Sequence, residues 1–237
     1  MVNLKPLPAP DQLEIHFPPG YTCLVVDDGT DLPVKIIDRL ADLGLPGAVL
    51  CLPQTVVKRQ NVLPQRLRQV QLDDLSEDQL RERLANAAQQ YGPAAVFIHL
   101  QTACSDCSGE DVHFSKHGKQ ILQEVFLAAK HLKPALNTAA QLGRAVFMSV
   151  VRLDGEFGLG QSVDFDPVSG GLFGLVKSLN LEWESVFCRA IDLSPEIDAD
   201  TAVEYILAEL MDPNRTTVEV GYSKNGRATL VLEPTVV

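Results

Sequence analysis

Cys104-Ser-Asp-Cys107, followed by His113 and His117, has the residue types and spacing to present two thiolates and two imidazoles to a zinc ion. Short Cys-x-x-Cys pairs also arise by chance, and this one sits in a polar stretch with no second hint of a metal, so no stoichiometric zinc is expected. A redox role would place the pair at a helix start directly after the first strand, and these cysteines come much later. Asp164 and Asp166 flank Phe165 like paired carboxylates, but Pro167 follows directly, and the pair reads better as caps of a helix that starts there. His99 lies in the apolar run Ala94-Ala-Val-Phe-Ile-His-Leu100 and reads as a hydrogen-bonded core histidine. Gly158-Leu-Gly160 resembles half of a glycine-rich phosphate loop. The turn where such a loop would do its work, after Cys23-Leu-Val-Val26, is Asp27-Asp28-Gly29-Thr30-Asp31-Leu32-Pro33. One glycine among three carboxylates repels a pyrophosphate where backbone amides should attract it. The next strand-like run ends Cys51-Leu52-Pro53, with no acid for a ribose hydroxyl and no arginine for a 2′-phosphate.

The elements that must position these residues alternate short apolar runs with longer stretches of helical period, the pattern of a doubly wound parallel sheet. Leu13-Glu-Ile-His-Phe17 alternates with period two, and Cys23–Val26 reads as a buried strand. A helix over 31–43 with Gly44 past its end leads to a strand over 48–52. A polar stretch over 58–69 reads as loop and is followed by strand-like 70–72. Ser76-Glu-Asp-Gln79 forms a capping box for a helix that Gly92-Pro93 closes. Strands over 94–100 and 145–151 bracket a long helix over 116–142, with a kink expected at Pro134. A helix over 167–183, a strand over 190–193 and a helix over 201–211 follow. Two last strands flank Asn225-Gly226, a hairpin signal. The expectation is a three-layer α/β fold with a mostly parallel, Rossmann-like sheet and a C-terminal β-hairpin, one domain over 1–237.

Composition bounds the partners. A net charge of -11 and 46% hydrophobic residues fit a cored protein whose field repels phosphate backbones and anionic lipid. No nucleic acid and no membrane partner is expected. The N-terminus MVNLKPLPAP lacks the charged-then-apolar plan of a signal peptide, and five cysteines scattered through the chain fit reduced thiols in a cytoplasmic setting.

The run from Phe165 through Ser169-Gly-Gly-Leu-Phe-Gly-Leu-Val-Lys-Ser-Leu-Asn-Leu-Glu182-Trp183 resembles the active-site helix of the short-chain dehydrogenase/reductases. That family opens the helix with a tyrosine and a lysine four residues on. The resemblance puts Phe165 and Ser169 in their places, and neither can give a proton or lower a pKa. Ser149 or Arg152 falls where the family keeps a catalytic serine. Alone, Ser149 reads as a solvent-facing hydroxyl at a strand end. The stretch from Leu172 to Leu193, with its small-Leu-aromatic-Gly-Leu-x-basic run, Leu-Glu182-Trp183 step and Asp192-Leu193, is similar to the N-terminal structural subdomain of polyketide synthase ketoreductases. It leans toward the synthases of polyunsaturated fatty acids and glycolipids. The resemblance implies no catalytic, cofactor-binding or metal residues, no cofactor, and a role bracing a downstream NADPH-dependent catalytic half and meeting other synthase domains. It also implies that two long helices, over 116–142 and 167–183, leave an apolar patch of Val125, Phe126, Leu132, Leu172, Val176 and Leu179 on which the isolated chain forms a homodimer. The alternative reading is a free-standing reductase with a degenerate site.

Overall fold

In the computed structural model, residues 2–13, 15–59, 62–101, 116–160 and 168–232 are described. Their strands form one nine-stranded sheet in the order β1-β9-β8-β7-β6-β5-β2-β3-β4. The strands are β1 (Val2–Pro6), β2 (Thr22–Val26), β3 (Gly47–Cys51), β4 (Arg68–Gln71), β5 (Ala94–Leu100), β6 (Val146–Val151), β7 (Phe187–Leu193), β8 (Glu219–Ser223) and β9 (Gly226–Leu232). The helices are α1 (Leu32–Asp42), α2 (Glu77–Tyr91), α3 (Lys116–Leu142), α4 (Val168–Glu182) and α5 (Ala199–Met211). From β4 across to β8 every pairing is parallel, and β9 and then β1 add on antiparallel. β2, β3, β5, β6 and β7 are buried along their whole length, which is why they read as continuous apolar runs. Their alternation splits them between two cores. Leu24, Val26, Phe97, Phe147 and Val151 face α2, α3 and α4. Cys23, Val25, Ile98, Met148 and Ile191 face α1 and α5. No helix among the described residues is long and apolar enough to cross a membrane.

Most expected elements are present within a few residues, and three details differ. The segment 13–17 forms no strand. The first strand is instead Val2–Pro6, paired over its full length with β9, whereas His16 only lends its carbonyl to Arg144 N at 2.9 Å. Period two marks a strand only where a neighbouring edge is free to pair. The capping box is half formed: Ser76 accepts from Gln79 N, but the Gln79 amide oxygen turns to Asp73 N and to Asp74 N at 2.8 Å. α3 runs through Pro134 as one helix. The C-terminal hairpin is as expected, with Gly226 at φ 97.

The corner where the hairpin meets the sheet holds a buried ion network. Arg189 on β7 and Glu209 on α5 are each 0% exposed and approach at 3.3 Å. Arg227 on β9 bonds Glu209 at 2.6 Å and Asp212 at 2.9 Å, and Arg189 also reaches Asp212 at 3.1 Å. The Tyr222 hydroxyl donates to Glu209 at 2.6 Å, and Arg227 donates to the Pro8 carbonyl at 2.9 Å. Four elements and the N-terminal segment are thereby tied at one point.

Candidate functional site

The chain turns away from β2 toward β3 on one side and arrives from β5 on the other, and in open α/β sheets a ligand crevice lies beyond the carboxyl ends of such a strand pair. Beyond β2, the Asp27 carboxylate accepts from Gly29 N at 2.9 Å and from the Arg59 guanidinium at 2.6 and 3.0 Å. Arg59 also donates to the Thr30 carbonyl at 2.8 Å, and the bond to Asp27 holds its pKa above the usual range. Asp27 is 5% exposed. A Cβ on Gly29 (φ 84) would stand 3.2 Å from both the Lys58 carbonyl oxygen and a Val57 methyl. Residues 57–59 therefore lie against the turn on which a pyrophosphate would rest, with a carbonyl oxygen turned toward it. The amides of the α1 N-terminus are no more available. Leu32 N donates to Thr30 Oγ1 at 3.1 Å, and Pro33 has no N–H. Burial raises the Asp28 pKa, and its Oδ1 is engaged by Thr30 N and Oγ1.

Beyond β5, the Ser169 hydroxyl donates to Gln101 Oε1 at 3.1 Å. One residue back, His99 Nδ1 meets Ser149 Oγ at 3.1 Å, and both residues are 1% exposed. Burial pushes the His99 pKa down to about 3, so the ring is neutral and the pair is a core hydrogen bond. The histidine is where the sequence put it. The serine is not the solvent-facing hydroxyl expected, because the inward position beside His99 in the parallel register gives it a partner. Arg152, just past β6, donates to the Ile197 carbonyl at 3.2 Å.

The loop after β6 repeats the pattern of the first turn. Asp154 accepts from the amides of Glu156, Gly158 and Gly160 at 2.7 to 2.8 Å, so the Gly158-Leu-Gly160 amides close on a carboxylate of their own chain. Asp192 accepts from Leu153 N and Phe157 N at 2.9 and 2.8 Å, and burial raises its pKa to about 6. Phe157 takes φ 61 there and packs edge-on to Phe173 at 5.5 Å. Arg59, Asp154 and Asp192 are the residues the sequence reading missed. Asp154-Gly155 ahead of two more glycines is a turn signal that could have flagged the loop. Nothing local points Arg59 at an aspartate 32 positions earlier.

The donor set therefore does not fit the dinucleotide that the fold family binds, and no catalytic step follows from these residues. Phe165, Asp164 and Asp166 lie outside the described residues, as do Cys104, Cys107 and His113. Of His117, only its place in the first turn of α3 is described. Among the described residues no group of three or more His, Cys, Asp or Glu could hold a metal ion.

On the helices that cover this side of the sheet, Val125, Leu132, Leu172, Val176 and Leu179 are at most 7% exposed and belong to the chain's own core. They are not the bare patch expected, since the apolar stripe of each helix is taken by the sheet before any partner can reach it. Phe126, at 54%, does face outward, with Leu181 at 84%.

No protein-family profile matches this sequence. The chain is 28% identical over 222 residues to one of the large subunits of the polyunsaturated fatty acid synthase of Thraustochytrium sp.; the match covers 91% of this chain and spans only 7% of that protein. Among solved structures, an A1-type ketoreductase matches with a TM-score of 0.60 at 16% identity over all of this chain and 42% of its own. An A-type ketoreductase from a modular polyketide synthase matches at 0.58 and 17%, over 43% of its length. A metagenomic short-chain oxidoreductase in complex with NADP matches at 0.59 and 16%, over 85% of this chain and 96% of that one. The fold is that of the short-chain dehydrogenase/reductases and of the ketoreductases built on it.

Proposed function

We propose that this chain is a non-catalytic docking subdomain of a multidomain polyketide- or fatty-acid-type synthase, in which residues 1–237 form one truncated Rossmann-like unit that braces a downstream, NADPH-dependent ketoreductase half. The observation that carries the reading is the crevice filled from within: Asp27 is spent on Arg59, and residues 57–59 lie on Gly29. A site whose anion-binding amides are used by its own acids has no place for a pyrophosphate. Two facts support the synthase setting. A similar stretch is a small part of a polyunsaturated fatty acid synthase, and all of this chain matches less than half of each of two ketoreductases. In this reading the catalytic half and neighbouring synthase domains are the partners, and α3 and α4 are the elements they meet.

A second reading, a free-standing reductase with a degenerate site, draws on the NADP-bound oxidoreductase matched over nearly its whole length. Isothermal titration with NADPH and NADH separates the two. No binding is expected, and a dissociation constant below about 100 μM, roughly 5.5 kcal/mol of binding, overturns the docking reading. The variant Phe165→Tyr, Ser169→Lys is expected to show no reduction of a β-ketoacyl thioester, because restored side chains without a cofactor have no hydride to pass on.

A further inference from the structure

α3 carries Lys119, Phe126 and Lys133 at seven-residue spacing, so the three fall on one stripe of the helix, and all three are exposed. The only acid in α3 is Glu124, which is 1% exposed and turned into the protein. Beside this stripe the outer side of α4 shows Gly170, Ser178 and Leu181, with no acid until Glu182 at the last position. In a chain of net charge -11, this face is apolar at its centre and bordered by lysines. At its rims, Lys130 reaches back to Glu77 at 2.6 Å and Lys177 to Glu219 at 2.9 Å, which shows what these ammonium groups take when a carboxylate is near.

Resting on the docking reading above, we propose that the outer face of α3 and α4 takes an acid-bearing helix of another domain, an apolar residue flanked about seven positions away on each side by Asp or Glu, and not a second copy of this chain. A two-fold contact centred on Phe126 lays α3 antiparallel on its copy, and Lys133 then meets the copy's Lys119, with no carboxylate on either stripe to separate them. Like charges set opposite one another reject the self-pairing. The same spacing accepts glutamates.

The probes are two alanine-based helical peptides with a central leucine, one carrying glutamate and the other lysine seven residues to each side, titrated against the chain by fluorescence anisotropy. The glutamate peptide is expected to bind at least about tenfold more tightly than the lysine peptide, and more weakly as salt rises. Phe126→Ala should weaken it, and Lys119→Glu with Lys133→Glu should reverse the preference. All three positions are exposed, so these variants are expected to fold. Equal affinity for the two peptides, no binding of either, or a salt-insensitive dimer of the unaltered chain in analytical ultracentrifugation overturns the inference. None of those results touches the docking reading itself, which stands or falls on NADPH binding.

Discussion

Two buried charge clusters sit at opposite ends of the same sheet and do different work. At the ligand crevice, Asp27 and Arg59 form a single pair with side chains 7% and 13% exposed, joining a turn to a loop. At the hairpin corner, Arg189, Glu209, Arg227 and Asp212 form a closed set in which each charge faces two of opposite sign. The first cluster closes a site without holding much structure, and the second holds structure and closes no site. Buried charge in a Rossmann-like fold is thus a poor sign of catalysis on its own. What decides is whether the chain has already supplied every partner.

The largest effect that tests this contrast is expected at the corner. Glu209→Gln leaves two buried guanidiniums sharing Asp212 and should cost about 3–5 kcal/mol, read as a lower urea midpoint with an unchanged slope. A loss under about 1 kcal/mol would put the corner on a level with an ordinary surface pair. Glu124 offers a third arrangement, a buried carboxyl whose two oxygens have no partner at all, and burial raises its pKa to about 8. A carboxyl whose folded pKa lies above its unfolded one contributes stability below the unfolded value, near 4.5, that is lost as pH rises toward about 8. Asp192, raised to about 6, adds loss of the same sign over the lower part of that range. Unfolding free energy should therefore fall between about pH 5 and pH 8, by up to roughly 4 kcal/mol. Glu124→Gln should flatten the slope, and a stability that instead rises across that range would show the carboxyl to be paired and ionised. The smallest effect belongs to the crevice. Arg59→Ala should cost about 1–2 kcal/mol, since Asp27 keeps the Gly29 amide and gains water, and it should confer no NADPH binding while Asp27 and Asp28 remain. Tight binding by that variant would make Arg59 a removable gate.

Much of the sheet was legible because a parallel strand buried on both faces must be an apolar run, and β2, β5 and β6 are such runs between well-marked helix ends. The first strand was not, because Val2–Pro6 has no signal of its own and becomes a strand only through β9 at the far end of the chain. At the candidate site, the poverty of the first turn could be read from Asp27-Asp28-Gly29. The loop that fills it could not, since Arg59 is one basic residue in a polar stretch. The misplaced patch of Val125, Leu132, Leu172, Val176 and Leu179 has a related cause. Helical period shows which residues are apolar but not whether the sheet or a partner receives them.

Trp183, the single tryptophan, is 2% exposed and stands edge-on to Phe147 at 5.6 Å, with Phe147 in turn stacked on Phe97. The three rings run from the end of α4 into the centre of the sheet, so the indole sits in a dry, aromatic setting. The chain therefore carries its own optical gauge. Its emission should be blue-shifted while α4 is seated and move to the red when that helix lifts, with no dye attached. A helix bound to the outer face, on the far side of α4, should leave the colour unchanged. A spectral shift on binding would report that the helix itself had moved.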